Sequence, residues 1–142
     1  MIKDVITTPL NIINIPGGDV MHAMKASSVG YVGFGEAYFA KINNGAIKAW
    51  KRHKGMTLNL IVPAGKIRFV LFDDRNTSNT QFQEFIISRD NYFRLTVPPM
   101  IWVGFQGLSD GNSILLNVAN IEHNIYETDR KKIEQIEFNW NN

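Results

Sequence analysis

A chain of 142 residues is long enough to bury roughly 70% of its unfolded surface around one core, so a single domain over residues 1–142 is expected. It contains no cysteine, which excludes disulfides, thiolate nucleophiles and Cys-ligated metals and gives no sign of an oxidising compartment. A net charge of +2 is too mild for a nucleic-acid surface, which gathers Lys and Arg on one face, and suits a small anionic ligand better.

The N-terminal stretch MIKDVITTPLNIINIPGG is interrupted by Asp4, Asn11, Asn14 and proline. It holds neither a signal-peptide core nor the about 20 apolar residues of a membrane span, and a cytoplasmic protein with no membrane partner is expected. From residue 29 to residue 121, short β-like runs alternate with turn signals. EAYFAKI and AIKAWKRH flank NNG (Asn43, Asn44, Gly45), a tight hairpin turn. MTLNLIV then runs to PAG, KIRFVLFD to the polar loop DRNTSNTQ, FQEFIIS to RDN, and YFRLTV to PPM. WVGFQGL leads to the turn SDGN, and SILLNVANI follows. YETDRKKIEQIEF changes period and reads as a short helix or an irregular tail, with Arg130, Lys131 and Lys132 on a solvated helix face. With no linker or repeat, the pattern is that of an all-β, antiparallel barrel or sandwich.

Side chains alternate across a strand, so Ile47, Ala49, Lys51 and His53 of AIKAWKRH are expected on one face and Lys48, Trp50 and Arg52 on the other. If the first face is the interior, Lys51 and His53 project together into a concave apolar setting. Two basic groups there point to a site rather than to packing.

The same stretch resembles the first cupin motif, a glycine, five residues, His-x-His, then a glutamate and a closing glycine. Gly45, His53 and Gly65 match, while Lys51 stands at the first histidine and Leu58 at the glutamate. The second motif, PxGxxH, is met by PPMIWV, with Pro98 matching, Met100 at the glycine and Val103 at the histidine. The resemblance implies a double-stranded β-helix, the cupin jelly roll. With three of four ligand positions exchanged, no metal and no other cofactor are expected, because one His cannot hold a divalent ion.

Residues 30 to 140 further resemble the metal-free dTDP-4-dehydrorhamnose 3,5-epimerase family of cupins. GEAYFAKINNGAIKAWKRH is similar to the approach to its RGLH motif, VLFDDR to VDLR, VPPMIWVGFQGLSD to VPPGFAHGFxxLSD, and NVANIEHNIYE to TDYYxPxxE. That family inverts carbons beside the ketone of a nucleotide-linked 4-keto-6-deoxyhexose, using a base, a cation at the enolate oxygen and an acid across the ring. The resemblance implies Lys51 or His53 as base and His123 as acid, with Tyr126 as a second candidate acid and Asp129 as the candidate orienting carboxylate. Glu36, Tyr38, Lys48, Asn59, Arg75, Trp102 and Tyr126 are then expected at the ligand, and Phe105 is a further aromatic that could stack on it. A 3,4-ketoisomerase of the same keto sugars and a non-catalytic binder of a sugar nucleotide or glycan are the alternatives. A homodimer that exchanges the apolar stretch DVITTPLNIINI is also implied.

Overall fold

The computed structural model describes residues 1–76, 79 and 81–141; Thr77, Ser78 and Thr80 of the expected polar loop lie outside these, as does Asn142. The strands are β1 (Ile6–Pro9), β2 (Ile12–Ile13), β3 (Val20–Met21), β4 (Glu36–Ile42), β5 (Ile47–His53) and β6 (Leu58–Ala64). They continue with β7 (Lys66–Phe72), β8 (Phe82–Ser88), β9 (Phe93–Val97), β10 (Trp102–Gly107), β11 (Ser113–Ala119) and β12 (Thr128–Arg130). Two five-stranded sheets, ordered β1-β9-β6-β11-β4 and β12-β5-β10-β7-β8, form a cupin jelly roll, and β2 pairs with β3 apart from both. All the strand pairings in these sheets are antiparallel, the arrangement that alternating runs and short turns favour. β4 and β8 coincide with the runs EAYFAKI and FQEFIIS. Gly45, at the NNG turn, has a φ of 76°, which glycine adopts without strain.

Alternation sets the core. Ile67, Phe69 and Leu71 of β7 point between the sheets with Leu58, Leu60 and Val103. The opposite face of the same sheet is buried too, which period-two patterning does not foresee. There Trp50, Val70 and Trp102 pack against Ile136 and Trp140 of the C-terminal segment. Arg68 anchors that segment, with its Nη1 donating to the Trp140 carbonyl at 3.1 Å and its guanidinium 5.3 Å from the Phe138 ring. Gly104 is required at this contact, since a Cβ would stand 2.9 Å from Ala49 Cβ and 3.0 Å from the Trp140 ring.

The C-terminal segment, expected as a short helix or an irregular tail, consists of two short 3-10 turns, Ile125–Glu127 and Ile133–Gln135, around β12. β12 forms because Thr128, Asp129 and Arg130 pair with His53, Arg52 and Lys51 on the edge of β5. β1, expected to cross to a second copy, pairs in this chain with its own β9. No helix among the described residues is long and apolar enough to cross a membrane.

Candidate active site

Between the sheets lies a cavity of about 490 Å³, in the range of small-molecule sites. Leu58, Leu60, Phe69, Val103, Phe105 and Leu115 give it an apolar floor. Its polar groups come from opposite walls: Tyr38 and Asn117 from the first sheet, and Lys48, Lys51, His53 and Arg130 from the second.

A register shift in β5 arranges the second wall. Val103 of β10 faces Lys51 and Phe105 faces Lys48, so two β5 residues stand opposite Gly104 alone. Such a bulge resets the alternation. Lys48 joins the cavity together with Lys51 and His53, while Ile47 and Ala49 pack against the outer cluster around Trp50. The strict alternation expected from the sequence is corrected here: Ile47 and Ala49 leave the inner face and Lys48 enters it.

His53 is 6% exposed, and its Nδ1 lies 2.5 Å from Glu127 Oε1. The other carboxylate oxygen accepts from the Gly55 and Met56 amides, each at 2.9 Å. Burial by itself would raise the Glu127 pKa, yet these three hydrogen bonds outweigh it and hold the carboxyl below its ordinary value. Burial also lowers His53 below the usual imidazole value, against the pull of Glu127, and the charges of Lys51 and His123 add to the lowering. At neutral pH His53 is therefore a neutral imidazole that donates its Nδ1 hydrogen to an ionised Glu127. Its Nε2 lone pair is left to accept a proton, the arrangement of a general base.

Lys51, one step along the same inner face, is half-buried. Burial lowers its pKa, the neighbouring Arg130 lowers it further, and Glu127 opposes both. Arg130, expected on a solvated helix face, instead lines the cavity, because β12 carries it onto the edge of β5 beside Lys51; the ammonium of Lys131, expected on the same helix face, lies 4.8 Å from the Trp102 ring on the outer side of the sheet.

Several expected ligand residues stand elsewhere. Asn59 faces away from the cavity and is satisfied by the Gly30 carbonyl at 3.1 Å and the Thr96 hydroxyl at 2.6 Å, where it fastens the segment before β4. Trp102 is buried in the outer cluster, with Nε1 donating to Asp74 and Arg52 stacked 4.6 Å from the ring. Arg75 spends its guanidinium on Asp73 and the Lys3 carbonyl. Asp129 binds Arg52 at 2.7 Å and Lys54 at 3.5 Å rather than orienting a site residue; that task belongs to Glu127. Glu36 is absent from the cavity lining, and Tyr126 is 81% exposed. His123 is exposed outside the lining, near enough to His53 for its charge to be felt there.

The cupin metal positions do not fit an ion. Leu58 and Val103 belong to the apolar core, and His53, the remaining donor, is engaged by Glu127. Among the described residues no three His, Asp or Glu side chains are grouped as ligands.

Glu127, which the sequence reading passed over although it closes NVANIEHNIYE, ties β5 to the segment after β11. Glu127→Ala strands the His53 Nδ1 hydrogen and two amides, and is expected to cost about 2–3 kcal/mol in urea unfolding at pH 7. The folded-state pKa of this carboxyl is depressed, so its contribution is present above the ordinary value of 4.5 and fades as pH falls through the lower folded value. The stability gap between wild type and variant is therefore expected to close in acid; a gap that is unchanged at pH 3 would contradict this account.

The fold and this pocket define a cupin with a buried His–carboxylate pair beside cationic groups. The chain is 34% identical to the dTDP sugar isomerase of Desulfovibrio desulfuricans G20, whose structure it matches with a TM-score of 0.92 over 97% of its own length and 91% of that chain. It belongs to the dTDP-4-dehydrorhamnose 3,5-epimerase-like family of sugar isomerases. It is also 29% identical over 100 residues to the probable low-salt glycan biosynthesis epimerase Agl13 of Haloferax volcanii, a match over 68% of this chain and 64% of that protein. A further match, 29% over 114 residues and 76% of each chain, is to the spore coat polysaccharide biosynthesis protein SpsL of Bacillus subtilis. No family model matches the chain.

Proposed function

We propose that this protein epimerises a nucleotide-linked 4-keto-6-deoxyhexose on its way into a surface polysaccharide, with His53 removing the proton beside the ketone. The carrying observation is the His53 imidazole held by Glu127 at the wall of a cavity that Lys51 also lines. A carbon acid beside a ketone becomes removable when the enolate oxygen meets a fixed cation, and Lys51 supplies one in an apolar surround. Lys48 and Arg130, at the same wall, suit the diphosphate. The polysaccharide roles carried by the names of the archaeal and Bacillus relatives agree with this reading. The absence of cysteine suits a reaction in the reducing cytoplasm. The test is solvent deuterium incorporation into dTDP-4-keto-6-deoxyglucose and its GDP and UDP counterparts, followed by NMR. Exchange at C3 or C5 supports an enolising enzyme; binding by calorimetry without exchange would make the protein a non-catalytic binder.

The protein acts as a homodimer in this reading. Val29, Val32, Phe34 and Phe39 are 65%, 61%, 63% and 70% exposed, and Phe39 lies on the face of β4 turned away from the cavity. Apolar side chains so open to water, on β4 and on the segment that leads into it, mark a place where another surface docks. Phe39→Glu is expected to shift the wild-type dimer to a monomer in light scattering; a wild type that is already monomeric would refute this.

A further inference from the structure

The bulge in β5 brings Lys48 into the cavity, and the outer side of that bulge is gripped by the C-terminal segment. We propose that Trp140, which is absent from the cavity lining, is a positioning residue for Lys48: its ring holds the bulge that turns this cation inward. This rests on the reading that Lys48 meets the diphosphate of a sugar nucleotide.

Along an unbroken strand Lys48, Trp50 and Arg52 would share one face. Trp50 belongs to the outer cluster and Arg52 stacks on Trp102 of that cluster, so an unbroken β5 would carry Lys48 outward with them. Instead Ala49 and Trp50 together stand opposite Gly104, and Lys48 lines the cavity. Its Nζ donates at 3.5 Å to the Lys41 carbonyl on β4, in the facing sheet. The direction of this one cation therefore depends on the extra residue in β5. Lys51 and His53 are held separately, by their pairing with Arg130 and Thr128 and by Glu127.

Both bulged residues meet the C-terminal segment. A Cβ on Gly104 would lie 2.9 Å from the Ala49 Cβ and 3.0 Å from Cζ2 and Cη2 of Trp140, so the missing side chain leaves the space into which Ala49 and the indole fit. The Trp50 and Trp140 ring centroids are 5.5 Å apart, and Trp50 Nε1 donates to the Ile133 carbonyl at 3.2 Å. The Trp50 amide donates to the Lys131 carbonyl at 3.0 Å, and the Lys131 amide donates back at 3.1 Å. Trp140 is itself fixed from β7, where Arg68 donates to its carbonyl. Its Nε1 is buried with no hydrogen-bond partner among the described residues. An unpaired buried donor costs stability, so the N–H does not account for a tryptophan here. What the indole supplies over a smaller ring is its far edge, Cζ2 and Cη2, which rests at the bulge.

The test is a double-variant cycle read by calorimetry with dTDP. Lys48→Ala is expected to weaken dTDP binding about tenfold, the loss of one charged contact. Trp140→Phe removes the far ring edge and is expected to weaken binding about threefold or more. The double variant is expected to bind within about twofold of Lys48→Ala alone, because the ring acts through the lysine. Gly104→Ala runs the same cycle from β10, with a methyl that presses on Ala49 and the indole, so the result does not hang on the folding of one variant. With the keto sugar, Trp140→Phe is expected to raise KM while kcat for deuterium exchange stays within about twofold; a general loosening of the fold would lower kcat as well. Wild-type affinity in both Trp140→Phe and Gly104→Ala overturns the proposal. So does an additive loss in the double variants, or a fall in kcat at unchanged KM. Lys48→Ala that binds dTDP, GDP and UDP as the wild type does, or a wild type that binds none of them, is a different failure, that of the underlying functional reading, and the proposal falls with it.

Discussion

His53→Asn is expected to lower deuterium exchange into the keto sugar by about a thousandfold, because it removes the base and keeps the volume and the Glu127 contact approximately in place. The pH profile of kcat/KM tests the same group. The base works when neutral, so activity rises with pH through the His53 pKa and is complete above it. Burial places that pKa below the ordinary 6.5, so the acid limb of the profile is expected below pH 6.5 and absent from the residual activity of His53→Asn. An acid limb that survives in the variant would assign it to another residue, and exchange at the wild-type rate would remove His53 from the reaction.

Lys51→Met is expected to lower kcat by about 10²–10³-fold, the usual cost of losing one fixed donor at a developing oxyanion. Nucleotide affinity should change less, since Lys48 and Arg130 remain at the wall. The sign of the alkaline limb follows from the role: Lys51 stabilises the enolate as an ammonium and stops doing so when deprotonated. Its pKa is depressed by burial and by Arg130, so activity is expected to fall with rising pH before the ordinary lysine value of 10.5 is reached. Lys51→Arg keeps the charge and should carry activity past that limb. If Lys51→Arg is as inactive as Lys51→Met and its alkaline limb is unmoved, Lys51 is not the enolate cation.

The strands from β4 to β11 were legible in the sequence because a strand writes its period into neighbouring residues. KIRFVLF shows its inner Ile67, Phe69 and Leu71 directly. Lys51 and His53 were legible for the same reason, since both lie beyond the bulge and keep the parity assigned to them. Lys48 was not, because the bulge that turns it inward depends on how β5 pairs with β10, and a one-residue slip exchanges the faces. Trp102 reads as a ligand aromatic or a core aromatic alike. Its burial on the outer face depends on a C-terminal segment whose Trp140 packs there from 38 positions further along the chain.

The pair that makes the site chemically distinctive was the least legible. His53 and Glu127 are 74 residues apart, and nothing local to either announces the other. Glu127 reaches His53 because β12 closes on β5, and that same pairing brings Arg130 beside Lys51. Alternation therefore specifies the strands and the inward parity of Lys51 and His53, because those follow from local backbone geometry, whereas the jelly roll was implied by the motif resemblance. The protonation states that let them act come from burial and long-range pairing, which exist once the sheets have closed.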